Sequence, residues 1–137
     1  MLKVIVDTYV LVSSLIQRNY PFLVVDYLLM ETQIELCISD EVIREYVDVL
    51  NRVKFFKYPE YEIRSKMLIA SIKRIGFFYS PVGRVHIIHD ESDNRFLELA
   101  ETCNADYLIT GNVRHFAMPE YKKTKIVTPK EFWELMN

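Results

Sequence analysis

Val85-His86-Ile87-Ile88-His89-Asp90-Glu91-Ser92-Asp93-Asn94-Arg95-Phe96-Leu97-Glu98-Leu99-Ala100 runs on through Glu101-Thr102-Cys103-Asn104 to Ala105-Asp106-Tyr107-Leu108-Ile109-Thr110-Gly111-Asn112. The apolar run from Arg84 to Ile88 predicts a strand. It meets a burst of carboxylates that open an amphipathic helix, Asp90 to Asn104, and this helix feeds a second strand, Tyr107 to Thr110. Such an αβ repeat gathers its polar groups at strand ends, where open α/β sheets bind ligands.

The flanking sequence repeats the alternation. Leu2 to Val6 is β-branched throughout its centre and fits a strand buried on both faces, ending at Asp7. Asp7 or Thr8 caps a helix to Gln17, and Pro21 suits the first turn of the next, Phe22 to Thr32. Ile34 to Ile38 is a strand, followed by a helix from Glu41 to Arg52 with Ser39 or Asp40 as its cap. Tyr61 to Ile75 is a further helix closed by Gly76, and Phe77 to Tyr79 a short extended piece. Lys125 to Val127 is the last strand. Thr128 caps the final helix, with Pro129 at its first position. Strands alternating with helices imply a mostly parallel sheet covered on both faces.

The chain has 137 residues, half of them hydrophobic and 26% charged, enough to bury a core as one domain of ordinary size. A net charge of −2 excludes a globally basic nucleic-acid coat. Binding a polyanion would need a local basic patch, or metal ions offsetting local carboxylates. Arg52, Lys54 and Lys57 form one basic group, and Lys122, Lys123 and Lys125 another. Cys37 and Cys103 lack metal-ligand spacing and read as small buried hydrophobes of a reduced, cytoplasmic protein. The N-terminus, with an early Asp7 and no long apolar core, does not read as a signal peptide. The apolar runs fall short of the roughly 20 residues that cross a bilayer.

The residues that carry chemistry are acidic. Asp7 at a strand end is a helix cap, a metal-binding carboxylate, or both. Asp90 and Asp93 lie three apart at a helix start, where caps and dipole partners belong. Residues at that spacing share a face, and two carboxylates there repel unless a cation sits between them. Spacing alone does not separate Glu45 from Glu41 or Asp48. Thr110-Gly111-Asn112 supplies small polar groups at another strand end, and His115 lies three residues further on. Hard carboxylate donors without thiolates or paired imidazoles favour Mg²⁺ or Mn²⁺ over zinc.

These residues resemble the PIN-domain ribonucleases, which include the VapC-type toxins. Val4-Ile5-Val6-Asp7-Thr8-Tyr9-Val10-Leu11-Val12-Ser13 looks like the family's first motif, whose Asp is a metal ligand. Ile43-Arg44-Glu45-Tyr46-Val47-Asp48-Val49-Leu50 looks like the second, with the match on Glu45. Asp90 to Ala100 looks like the third, with Asp93 as the core acid and Asp90 as an extra acid of one branch. Ala105 to Asn112 looks like the fourth, and Ile126-Val127-Thr128-Pro129-Lys130-Glu131-Phe132 matches the same branch. The resemblance runs from Leu2 to about Leu135.

The resemblance implies a single PIN-like domain over residues 1–137, a three-layer α/β/α sandwich with a central, mostly parallel sheet. It implies a metal-dependent endoribonuclease acting as a toxin, with a cognate antitoxin and a homodimer; the apolar helices Phe22 to Met30 and Tyr61 to Ile75 could supply the dimer face. Asp7, Glu45 and Asp93 would be the catalytic metal ligands with Asp90 as auxiliary. Thr110, Asn112 and His115 would support them, and Mg²⁺ or Mn²⁺ would be the cofactor.

Two positions depart from the family. Tyr9 stands where Asn is common, and the fourth acid is absent from both usual places, which hold Asn112 and His115. This leaves open whether one metal or two are bound. It also keeps an alternative in view, a weakened module that binds RNA or a protein partner without cutting it. A phosphoacceptor domain would want paired acids after the first strand, where Asp7 stands alone. A haloacid-dehalogenase-type phosphatase would want Asp at position 9.

Overall fold

A computed structural model describes residues 1–112, 116 and 118–137. The elements follow as β1 (Leu2–Val6), α1 (Thr8–Ile16), α2 (Tyr20–Met30), β2 (Ile34–Ile38), α3 (Asp40–Leu50) and α4 (Tyr61–Ile75). The chain continues with β3 (Phe77–Phe78), α5 (Glu91–Cys103), β4 (Tyr107–Ile109), β5 (Glu120–Tyr121), β6 (Thr124–Val127) and α6 (Pro129–Met136). A short 3₁₀ turn, Val53–Phe55, separates α3 from α4.

The strands form one sheet in the order β3-β2-β1-β4-β6-β5. All neighbours are parallel except the β5–β6 edge pair. β1 pairs Leu2 with Ile34 on one side and Val4 with Tyr107 on the other. Its Val4, Ile5 and Val6 are buried, as a central strand of a parallel sheet requires. Successive strand residues point to opposite faces. Val6 and Leu36 meet Leu11, Val25, Leu28 and Ile72 from α1, α2 and α4. On the opposite face Cys37 meets Cys103 of α5, whose carbonyl oxygen accepts from Lys3 Nζ at 3.2 Å. The sheet is therefore flanked by helices on both sides. α6 joins the α2 side, with Trp133 set edge-on to Tyr27 at 6.0 Å.

Both cysteines are free and buried, as their surroundings predict. The hydrogen bond with Cys103, and then burial, push the Cys37 thiol far up, so it stays protonated. No helix among the described residues is long and apolar enough to cross a membrane. Gly76 ends α4 with an extended backbone and not in the left-handed conformation of a glycine cap. A Cβ there would lie 2.4 Å from Ile38 Cδ1 and 2.7 Å from the Ile72 carbonyl oxygen, so the close approach of α4 to β2 selects the glycine.

The expected strand from Arg84 to Ile88 does not form; the third parallel position beside β2 goes to Phe77 and Phe78. Side chains of α5 claim the backbone of the 85–88 segment instead. Glu98 Oε2 accepts from Val85 N at 2.8 Å. Asn94 Oδ1 accepts from Ile88 N at 2.9 Å, and its Nδ2 donates to Ile88 O at 2.7 Å. Groups paired in this way have no need of a neighbouring strand. Asn94 and Glu98 are themselves buried, and Glu98 is neutralised by Arg95 at 3.0 Å.

Asn94→Ala leaves both polar groups of Ile88 without their partner. It should cost about 1–3 kcal/mol of stability, read as a lower urea midpoint with an unchanged m-value. Exposed Asn104→Ala, at the far end of α5, is not a neutral control because Asn104 holds a positive φ of 54°. Ser92→Ala loses only a hydroxyl contact to Asp90 and should cost less than Asn94→Ala.

Candidate functional site

The site begins where β1 stops. Asp7 N donates to Ile109 O at 2.8 Å, which carries the β1–β4 pairing one residue further. Asp7 holds the N-cap position of α1, but its carboxylate makes no capping bond, contrary to the cap role expected for it. Its Oδ2 instead accepts from Thr110 Oγ1 at 2.9 Å, and that hydroxyl oxygen accepts from Asn112 N at 3.1 Å. The end of β4 thereby holds the carboxylate at the end of β1. β2 lies on one side of β1 and β4 on the other, which makes this the point where the strand order switches direction.

α3 arrives from Ser39, whose Oγ accepts from Val42 N at 3.1 Å. Buried Tyr46 then donates its hydroxyl to Val6 O at 2.5 Å and docks the helix over the end of β1. Burial raises the Tyr46 phenol far above its ordinary range, so it remains a donor. This docking presents Glu45 to the same region. Glu41 turns away to Arg84 at 2.8 Å, and Asp48 stays exposed beside Arg52 at 3.7 Å.

α5 brings the third motif. Asp90 is its N-cap, accepting from Ser92 N at 3.0 Å and from Ser92 Oγ at 2.7 Å. Asp93 follows in the first turn and is 7% exposed. Phe96, one turn on, packs against Tyr46 at 6.2 Å between ring centres, so α3 and α5 meet beside the end of β1.

Asp7, Glu45, Asp90 and Asp93 line one cleft of about 270 Å³, with Thr8, Tyr9, Ser13, Ser92, Gly111 and Asn112. Thr110 stands behind Asp7 and is fully buried. His115 lies outside the described residues. The Glu45 carboxyl is held above its ordinary range, first by burial and then by Asp48; Arg52 opposes this, and Asp90 and Asp93 add to it. Four carboxylates and a side-chain amide are a hard oxygen donor set, the kind that suits Mg²⁺ or Mn²⁺. Among the described residues no three His, Cys, Asp or Glu groups stand close enough to form a ready cage. The carboxylates share the cleft but do not close on a common point. A cation would supply the counter-charge that draws them together.

Of the two basic groups, Arg52 donates to the OH of Tyr9, a cleft-lining residue, at 3.0 Å. Lys122 is paired with Glu101, and Lys123 lies 3.9 Å from Asp106. Both are at the opposite end of the parallel strands, where β4 and β6 begin. The positions that sequence reasoning left without a role are Asn94 and Glu98, which fasten the approach to Asp90. An Asn and a Glu at i and i+4 on a helix carry no signal of that task. Tyr46 sits at apolar spacing in α3, and nothing in that spacing signals its hydroxyl bond to Val6 O.

A family model described as PIN domain matches residues 3–114. The chain is 28% identical over 142 aligned positions to an uncharacterized protein of Methanocaldococcus jannaschii, covering 97% of this chain and 90% of that one. It also superposes on the crystal structure of VapBC2 from Rickettsia felis bound to a DNA fragment from their promoter. That match has a TM-score of 0.60 at 12% identity and covers 93% of this chain and 98% of the other. At that identity the likeness is one of fold.

The raised pKa of Glu45 has a consequence for stability. The folded chain keeps this proton above 4.5, the ordinary value, while the unfolded chain has lost it. Stability therefore falls as pH rises from that value through the folded pKa. Glu45→Gln removes the cost. In EDTA it should raise Tm at pH 8 and leave Tm nearly unchanged at pH 4, measured by thermal unfolding at both pH values.

Proposed function

The chain belongs to the PIN domain family, and from that premise we propose that it is a Mg²⁺- or Mn²⁺-dependent endoribonuclease, the toxin of a toxin–antitoxin pair. PIN domains are generally nucleases that use divalent metal ions. The observation that carries the reading is the single cleft lined by Asp7, Glu45, Asp90 and Asp93 at the ends of the central strands.

A bound Mg²⁺ or Mn²⁺ would activate water and offset the charge of a phosphodiester in in-line displacement. Asp7, Glu45 and Asp93 would hold it, with Asp90 as auxiliary. Thr110 fixes one Asp7 oxygen by donating to it, leaving the other oxygen's direction defined. Asn112 has no acid to offer, and its amide oxygen would orient a ligand or a water. His115 would have a supporting role, as the family resemblance implies. The absence of an acid at Asn112 and His115 favours one tightly held ion over two.

The partners in this reading are an RNA substrate, an antitoxin protein and a second copy of the chain. Exposed Leu23 and Met30 on α2, and Ile63 and Met67 on α4, support an apolar partner face on those helices. The second reading, a PIN-like module that binds without cleaving, draws support from the missing fourth acid alone.

Purified protein should cut single-stranded RNA in Mn²⁺ and not in EDTA. Asp7→Asn and Asp93→Asn should each reduce the rate by about 100-fold or more, beyond what loss of an outer-shell partner costs. Mn²⁺ should raise the Tm of the unaltered protein and not that of either variant. Intact RNA together with an unmoved Tm would establish the binding module instead.

A further inference from the structure

Tyr9 is the second residue of α1 and lies on the wall of the acidic cleft. Its neighbours Asp7 and Thr8 are buried, yet its own side chain is 48% exposed. Among the described residues its ring stacks on no other aromatic side chain. Ring stacking among the described residues therefore does not account for an aromatic residue here. Its hydroxyl is engaged, accepting from Arg52 Nη1 at 3.0 Å.

Arg52 is half exposed. Its other contact, Asp48 at 3.7 Å, is a loose surface pair, of a kind that contributes little and yields readily to a stronger anion. Lys54 and Lys57 follow it, exposed, each ammonium group resting on the ring of the next residue. Arg52, Lys54 and Lys57 thus form a basic strip of sequence that begins beside Tyr9, and a polyanion crossing the carboxylates would need such positive charge. An exposed ring beside such a strip is what a single strand uses, since every base offers a π-face. In a duplex those faces are already stacked on one another. A cleft of about 270 Å³ is on the scale of one nucleotide.

Resting on the nuclease reading, we infer that Tyr9 is the stacking platform for an unpaired base beside the scissile phosphate. Arg52 steers the ring and contacts a flanking phosphate. Tyr9 is a specificity-determining residue and takes no part in the bond-breaking step.

The test measures Mn²⁺-dependent cleavage of one labelled RNA, as a single strand and annealed to its complement. Tyr9→Ala should raise KM for the single strand by about five- to a hundredfold with kcat nearly unchanged. Tyr9→Phe and Tyr9→Trp should restore most of the loss. Arg52→Ala should lower the salt slope of log KM by about 1. Tyr9→Ala should keep the Mn²⁺-induced rise in Tm, which shows the cleft intact. An unchanged KM for Tyr9→Ala overturns the inference while leaving the nuclease reading standing. So does a loss of kcat alone, or an unchanged KM joined to loss of self-association in sedimentation, which would make Tyr9 a protein contact. Unaltered protein that cuts no RNA removes both.

Discussion

Thr110 donates to Asp7 across the junction of β1 and β4, two strands whose contact is separated by 103 residues of chain. A carboxylate as buried as Asp7 is costly unless hydrogen-bonded, and the adjacent strand end supplies a donor while α1 adds no capping bond. The bond therefore depends on β1 lying between β2 and β4. The same parallel arrangement brings the carboxyl ends of the strands to one edge. α3 is referenced to that edge by Tyr46 on Val6 O, and α5 by Phe96 against Tyr46.

The carboxylates at this edge serve two opposed electrostatic ends. At the start of α5, Asp90 and Asp93 favour the helix, one as a cap and both toward its positive dipole end. Across the cleft the same charges push up the pKa of Glu45. The fold accepts this repulsion because Glu45 is anchored by α3 and the two aspartates by α5. A site built in this way is weak as pure structure and strong as a receptor for positive charge, which fits the trade between stability and function common at such sites.

The segment before Asp90 shows where sequence periodicity misleads. Val85, Ile87 and Ile88 read as a strand, yet Ile87 is exposed and the backbone is held by Glu98 and Asn94. Strand propensity describes residues that suit a half-buried pleated surface. It cannot register that a helix 13 residues away in sequence already accepts the Val85 N–H. The slot beside β2 was filled by Phe77 and Phe78, whose short run gave little pattern to read.

Local chemistry was legible in the residues themselves. A β-branched run marked β1, Ser39 and Thr128 marked helix starts, and the four motifs in order marked the family, since propensity, capping and spacing act over a few neighbouring residues. Tertiary structure alone decided that Glu45 and not Glu41 or Asp48 faces the cleft, because that choice depends on how Tyr46 docks α3 on β1. It also decided that Asp7 turns to Thr110 and that Tyr9 stays exposed beside Arg52. Each of these depends on a partner 40 or more residues distant, and a linear pattern holds no information about which distant group will arrive.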